Sequence, residues 1–319
     1  MRRGSGLAGL VLAGCLLFPG AAGALSWSKG ITVDTHLLTG VTCPSANQCT
    51  AVDDVGREVT FLPGSDAPPT SLSIDPGNGP LNGVACPTIA VCVAVDGQGN
   101  EVTFDAASQT AHAPVQIDPA DNGGYSLNGI ACPSATRCTV VDGIAGQLTF
   151  APSNPQNASE VQVDTRNSSV QLDAVACPSP KQCTGVDSQG YEVTFNPASS
   201  RAFLKGDRVD PKGWLNGVAC PSTSQCTAVD RHGYEVTFNP RSPNPRRVRI
   251  STAGLNGIAC PSRRRCVIAD RHGAVLVGDP GHSWKSAQLS RTGRLEAVSC
   301  FSGRLCVVVD SAGNAYIGR

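Results

Sequence analysis

The chain has no G-x-S-x-G elbow, no H-E-x-x-H pair, no Walker loop and no dinucleotide fingerprint anywhere in its 319 residues. It therefore carries no local signature of an α/β-hydrolase, a zincin, a P-loop nucleotidase or a Rossmann dehydrogenase. Apolar residues never recur at the 3.6-residue period, which excludes leucine-rich and helical repeat architectures. After the first two dozen residues no segment approaches the 18 or so consecutive apolar residues that a membrane helix needs. Tryptophan is scarce, with only Trp27, Trp214 and Trp284, so platforms for stacking sugars are few. Net charge is also missing, but the formal zero conceals a gradient. Up to Asp230 there are 11 Lys/Arg against 20 Asp/Glu, and from Arg231 onward 14 against 5.

Repetition is what the chain has in abundance. The pattern L-[NTDE]-[GA]-[VI]-x-C-[PF]-[ST]-x-x-x-C occurs seven times, and its first cysteines lie 43, 46, 45, 43, 40 and 40 residues apart. A period of 40 to 46 residues marks propeller blades or solenoid coils. The pairs are Cys43 with Cys49, Cys86 with Cys92, Cys132 with Cys138, Cys177 with Cys183, Cys220 with Cys226, Cys260 with Cys266 and Cys300 with Cys306, leaving only Cys15 unmatched. Zinc knuckles set out two half-sites of closer spacing, whereas identical C-x5-C pairs show no such alternation and read as disulfides.

Residues 1–24 have the parts of a secretory signal: Arg2-Arg3, an apolar stretch from Leu7 to Phe18, and Ala22-Gly23-Ala24 before the expected cleavage. The expected mature domain is 25–319, exported and therefore in a disulfide-permitting compartment. Leu12-Ala13-Gly14-Cys15 also resembles a lipobox, which would instead anchor the chain by lipid at Cys15.

Each repeat divides into four short apolar runs, A to D, seen in the third copy at 127–132, 138–142, 147–150 and 161–165. Four strands per 40 to 45 residues give an all-β, seven-bladed propeller of antiparallel blades. Strand A is rich in Gly and Ala, as the crowded centre of a disc demands, and each cystine should staple an A–B hairpin. An Asp ends strand B in every copy, and six of the seven are followed by Gly at the third position, while Asp142 reads as having one extra residue before Gly146. Asp at i and Gly at i+3 suit a type I turn. One carboxylate per turn supplies too few oxygens for calcium, so no metal and no cofactor are expected. Trp27 and Trp284 each precede a cysteine by 16 residues, which makes residues 31–35 a D strand that closes the ring against the C-terminal strand.

The pattern L-x-[GA]-V-x-C-P-S-x-x-x-C-x-[AV]-V-D-x-x-G, spread over residues 31–319, resembles propeller repeats common in secreted actinobacterial proteins, most without an assigned function. Without cysteines the layout is similar to Asp-box (BNR) propellers, including the photosystem II assembly factor type. Asp279-Pro280-Gly281-His282-Ser283-Trp284 matches D-x-G-x-x-W, although Val277 replaces the usual Ser/Thr. The arginine triad and the Tyr–Glu pair of sialidases have no counterparts here, so the resemblance implies no sialidase activity.

Function on a repeat scaffold shows as departures from the repeat. Arg231-His232 and Arg271-His272 occupy the B–C turns of blades 5 and 6, while Arg263-Arg264-Arg265 lie in an A–B loop and Arg241, Arg246 and Arg247 in the C–D loop of blade 5. Up-and-down topology puts the latter six on one face and the Arg–His pairs on the other. The leading expectation is a monomeric, non-enzymatic binding or scaffold module that meets a protein or anionic polymer of the cell envelope. A glycan-binding lectin is one alternative, and a hydrolase or lyase on the blade 5–6 loops or in the central channel is the other.

Overall fold

The structure is a computed structural model describing residues 25–118, 125–164, 170–201 and 206–319, so the expected signal segment and Cys15 lie outside the described residues. The chain forms seven antiparallel blades of four strands. Blade 1 runs Leu38–Ser45 (A), Gln48–Asp53 (B), Arg57–Phe61 (C) and Thr70–Ser73 (D). The other blades repeat that order, the outer strand of blade 2 being broken into Thr110–Ala111 and Val115–Gln116. In blade 7, strands Leu295–Ser302, Leu305–Asp310 and Asn314–Gly318 take Ile31–Thr32 as their fourth member. Flanking bonds extend this closure, with Ser26 and Arg319 exchanging both backbone bonds and Ser28 N–H donating to the Ile317 carbonyl.

The apolar core lies between blades. Leu38, Val41, Ala51 and Phe61 of blade 1 pack on Leu305, Val307 and Val309 of blade 7. The first Leu of strand A is at most 1% exposed in all seven copies, and each contributes about 1.5–3 kcal/mol by burial. Small residues follow because the A strands crowd the axis: a Cβ on Gly129 would lie 3.1 Å from the Ala174 Cα of the next blade.

Every cysteine of the seven repeats is oxidised with the partner expected from its spacing. Cys43 is bonded to Cys49, Cys86 to Cys92, Cys132 to Cys138 and Cys177 to Cys183. The last three blades join Cys220 to Cys226, Cys260 to Cys266 and Cys300 to Cys306. Each bridge spans strands A and B of one blade with Cα atoms 4.0–4.1 Å apart. The two sulfurs differ in setting. Cys49, Cys92, Cys138, Cys183, Cys226, Cys266 and Cys306, on strand B, are fully buried, whereas their strand-A partners are somewhat less so, from Cys43 at 6% and Cys86 at 8% to half-buried in the other blades.

A register shift follows the first Leu of every strand A. Such irregularities re-aim a side chain, and here the next residue reaches the neighbouring blade. Asn82, Asn128 and Asn256 donate to the carbonyls of Leu127, Leu172 and Leu295 at 3.0, 2.9 and 2.9 Å.

The Asp that ends strand B organises the B–C turn, and Asp230 Oδ1 accepts from His232 N at 2.8 Å and Tyr234 N at 2.7 Å. Asp142 does the same with Ile144 N and Gly146 N, so the expected extra residue is not an insertion. Ala145 takes the i+3 position with φ 63°, where six other blades use Gly. The fourth strand of blade 3 also differs from expectation. It spans Asn154–Gln162 rather than 161–165, because Ala151 and Asn154 pair across a tight hairpin that starts the strand early.

Blades 1 to 5 bury a Phe at the end of strand C, whereas blades 6 and 7 place Gly278 and Gly318 there. The D strand compensates. Trp284 and Trp27 lie over those glycines so closely that a Cβ would meet the rings at 2.5 and 2.8 Å.

Turn geometry and ring closure each generate a prediction. At Gly190, φ is +86° and a Cβ would sit 2.0 Å from the Asp210 carbonyl oxygen, whereas Gly77, at +88°, has open space. Gly77→Ala should cost about 1–2 kcal/mol from the left-handed conformation alone, and denaturant unfolding should show Gly190→Ala to be more damaging by at least a further ~2 kcal/mol. Truncation through Thr35 should lower the melting temperature of the whole ring, and truncation through Ala24 should not; equal values would contradict the closure.

Candidate functional site

The turns at the ends of strands B gather a second acidic set that the sequence reading missed. Asp34, Asp75, Asp118, Asp164 and Asp210 end the D segments and are buried, with Ser251 and Ser290 replacing them in the last two copies. Each of these aspartates follows Val or Ile, a pattern visible in sequence, but D–A loops of unequal length take it out of register with the cysteines. These residues meet the strand-B aspartates of the next blade at the inter-blade joint.

The joints neutralise this charge in different ways. Between blades 4 and 5, Arg247 lies 2.9 Å from Asp210 Oδ1 and 3.0 Å from Asp230 Oδ2, with its guanidinium stacked 3.3 Å over the Tyr234 ring. At the closing joint Arg57 approaches Asp34 at 3.5 Å and Asp53 at 3.9 Å, beside His36. Asp34, His36 and Asp53 could together present three ligand atoms to a metal, but Arg57 already supplies positive charge there. Asn100 donates to Asp96 Oδ2 at 2.7 Å, Ser251 to Asp270 Oδ2 at 3.1 Å and Tyr316 to Asp310 Oδ2 at 2.9 Å. The joint between blades 2 and 3 differs, because Asp118, Asp142 and Glu160 meet there. Burial and its two acidic neighbours push Asp118 up to about 7, and burial raises Asp142 and Glu160 as well.

A third buried acid lies on strand C of most blades. Thr60, Thr103, Thr194 and Thr237 donate to Glu58, Glu101, Glu192 and Glu235 at 2.7–2.9 Å, and blade 3 makes the same bond from Thr149 to Gln147 at 2.7 Å. Glu58 also accepts from Gln109 of blade 2, and Glu235 from the Gly281 N–H of blade 6, so these acids clip adjacent blades together.

The structure separates the arginines and histidines singled out from sequence. Arg231, His232, Arg271 and His272 occupy the B–C side, where Arg231 lies 5.0 Å over exposed Trp214 and Arg271 donates to Asn256 Oδ1 at 2.8 Å. Burial, with Arg231 and Arg294 nearby, lowers the Arg271 pKa. The His232 and His272 backbones serve the aspartate turns, and His272 O also accepts from Gln288. On the opposite side Arg246, Arg263 and Arg264 line a groove of about 760 Å³ with Gln225, Asp279 and His282. Arg265 lines an adjacent cavity of about 400 Å³ beside Trp27, and Arg241 sits exposed in the C–D turn. Arg246 and Arg247 belong to strand Arg246–Arg249 rather than to a loop, and strand alternation sends Arg247 into the joint. The six arginines therefore do not form a single patch.

No family model matches the chain, and no curated protein is similar to it in sequence. Solved structures share its architecture. YCF48 bound to D1 peptide aligns with a TM-score of 0.71 at 14% identity, covering 91% of this chain and 96% of the other. The WD40 β-propeller domain of Doa1 aligns with a TM-score of 0.75 at 11% identity, covering 92% and 97%. This is a seven-bladed β-propeller, stapled by one disulfide per blade. At these identities the likeness is one of fold. Among the described residues no helix is long and apolar enough to cross a membrane.

The strand-C acids give the propeller an inverted acid response. Burial raises Glu58, Glu101 and Glu192 from 4.5 to about 7, against the pull of the threonine bonds. The folded state thus holds more protons than the unfolded one between those values, so this stabilisation is complete below pH ~4.5 and is lost as pH rises through ~7. The melting temperature should therefore fall between pH 5 and pH 8. Changing all three to Gln, as blade 3 already has at Gln147, should flatten that slope, each site accounting for roughly 1–3 kcal/mol.

Proposed function

We propose that this chain is a secreted, monomeric, non-enzymatic propeller that binds an anionic segment of a cell-envelope partner in the groove between blades 5 and 6. The groove itself carries the reading. Arg246, Arg263 and Arg264 line it with a single acid, Asp279, and among the described residues none of the three forms an ion pair. Guanidinium groups brought together in this way favour phosphate, sulfate or carboxylate, which they engage in bidentate fashion. Arg263 is held by Gln225, which limits the side-chain entropy lost on binding. YCF48, of the same fold, is known bound to a peptide, which supports a peptide or polymer ligand for a disc of this shape. Seven disulfides support an oxidising compartment, with release through residues 1–24 or lipid anchoring at Cys15 as the routes.

The non-enzymatic reading rests on the buried acids. Asp230 and Asp270 hold their turns by accepting from the His232 and His272 backbones, and the strand-C acids accept from threonines, so these carboxylates serve the fold.

Changing Arg246, Arg263 and Arg264 to Ser should weaken retention on a sulfated or phosphorylated matrix about tenfold, taking ~0.5 kcal/mol for each screened contact. Recovery from envelope fractions should drop in parallel. The Arg231→Ser/Arg271→Ser variant, altered on the opposite face, should elute like the parent. Unchanged retention of the triple variant would show the groove to be plain surface.

A further inference from the structure

The joints of the ring share one plan, and the joint between blades 6 and 7 departs from it. Elsewhere the C–D turn of one blade reaches back onto strand C of the blade before it. Gln109 of blade 2 donates to Glu58, the Gly281 N–H of blade 6 donates to Glu235, and the Pro152 carbonyl of blade 3 accepts from Thr103. Blade 7 has no such turn among the described residues, because its third strand, Asn314–Gly318, and its fourth, Ile31–Thr32, are not consecutive in the chain. On the blade 6 side the acid and the threonine are gone as well, replaced by Val275 and Val277.

What remains is an open cavity of about 400 Å³. Val277 pairs with Lys285 and Val275 with Ala287 across strands C and D of blade 6, so all four side chains stand on one face of the sheet. Leu25 and Trp27 form the wall across from them. The cavity is thus lined chiefly by hydrocarbon and indole, with positive charge supplied by Lys285, Arg264 and Arg265. Among the described residues neither Lys285 nor Arg264 has an ion-pair or hydrogen-bond partner. Arg264 and Asp279 also line the arginine groove between blades 5 and 6, so the two spaces adjoin at the C–D turn of blade 6.

We propose that this cavity receives an aliphatic or aromatic side chain of an acidic peptide whose carboxylates lie in the adjoining groove. The inference rests on the reading of the groove given above and narrows its ligand to a peptide. An apolar wall contributes to binding only when an apolar group displaces its water, and a sulfated polysaccharide or a polyphosphate carries no such group. A peptide places acidic and apolar side chains one or two residues apart, at about 3.3 Å per residue when extended. Basic peptides are rejected, since Lys285 and Arg264 would meet like charge as water leaves. A mostly apolar wall with a few charged groups, at this volume, has the usual make-up of a ligand site.

The test measures fluorescence anisotropy of three labelled pentapeptides with the full mature chain: leucine between two pairs of glutamates, alanine in its place, and glutamate throughout. The leucine peptide should bind roughly tenfold more tightly than the other two, through burial of much of its isobutyl group. Ala287→Trp, at an exposed strand position, should fill the cavity and bring the leucine peptide down to the alanine value with little change in melting temperature. Arg246→Ser/Arg263→Ser, which alters the groove alone, should weaken all three peptides and keep their ratio. Equal affinity for the leucine and alanine peptides in the parent overturns the proposal and leaves the groove reading standing, as does retention on the sulfated matrix with no peptide bound. A leucine preference that survives Ala287→Trp puts the apolar contact elsewhere and also overturns it. Loss of both peptide and matrix binding removes the groove reading, and this inference with it.

Discussion

Each blade of this ring is completed by its neighbour. Strand B is buried on both sides, and the largest apolar clusters join residues of adjacent blades. A single blade would leave a hydrophobic face bare, and an open ring would leave two. This is why closure by the N-terminal strand governs the stability of the whole disc rather than of blade 7 alone. It also explains why the cystines sit where they do. A bridge between strands A and B reinforces a hairpin that no intrablade core can hold, and a loop this short still removes about 2 kcal/mol of chain entropy from the unfolded state.

Burying polar groups at the joints raises a second problem, which the chain solves several times over. The strand-B aspartate is needed for its Oδ1, which holds the B–C turn, but that leaves Oδ2 inside the protein. Arg247, Arg57, Asn100, Ser251 and Tyr316 are five different answers to one requirement. In blades 6 and 7 the strand-B aspartates stay bonded, but the strand-C acids disappear. Glu and Thr of strand C become Val275 and Val277, then Ala315 and Ile317, while Phe yields to Gly under a Trp. The later joints are thus an apolar version of the earlier ones, with hydrocarbon packing where the others use hydrogen-bonded acids.

This accounts for what could be read from sequence. Blade number, strand order, cystine pairing and ring closure were legible because they are set by the repeat period and by positions that do not vary in spacing. Cys49 follows Cys43 at the same distance as Cys306 follows Cys300, so one hairpin geometry serves all seven pairs. The second aspartate set was not legible, since loops of unequal length separate it from the cysteines, and a pattern in register with one element hides another that is not. Arg246 and Arg247 read as loop residues in the sequence because an Arg-rich run lacks the alternation of a half-buried strand. Only pairing with Tyr234–Phe238 reveals the strand. The extra residue assigned after Asp142 came from aligning on glycine instead of on the turn geometry, which Ala145 satisfies at φ 63°.

The charge gradient along the chain also changes its meaning. Thirteen of the acids up to Asp230 are buried, and several are matched by internal donors. Among them Glu58, Glu101, Asp118 and Glu192 are raised to about 7, so part of their formal charge is absent at neutral pH. They contribute little to the field outside. The arginines of blades 5 to 7, by contrast, lie mostly at the surface, with Arg247 the clear exception. A formal charge of zero therefore describes a molecule whose interior is acidic and whose exposed face at blades 5 and 6 is basic. Such a surface attracts anions over about 8 Å at physiological ionic strength, while the carboxylates that cancel it on paper are spent inside the joints.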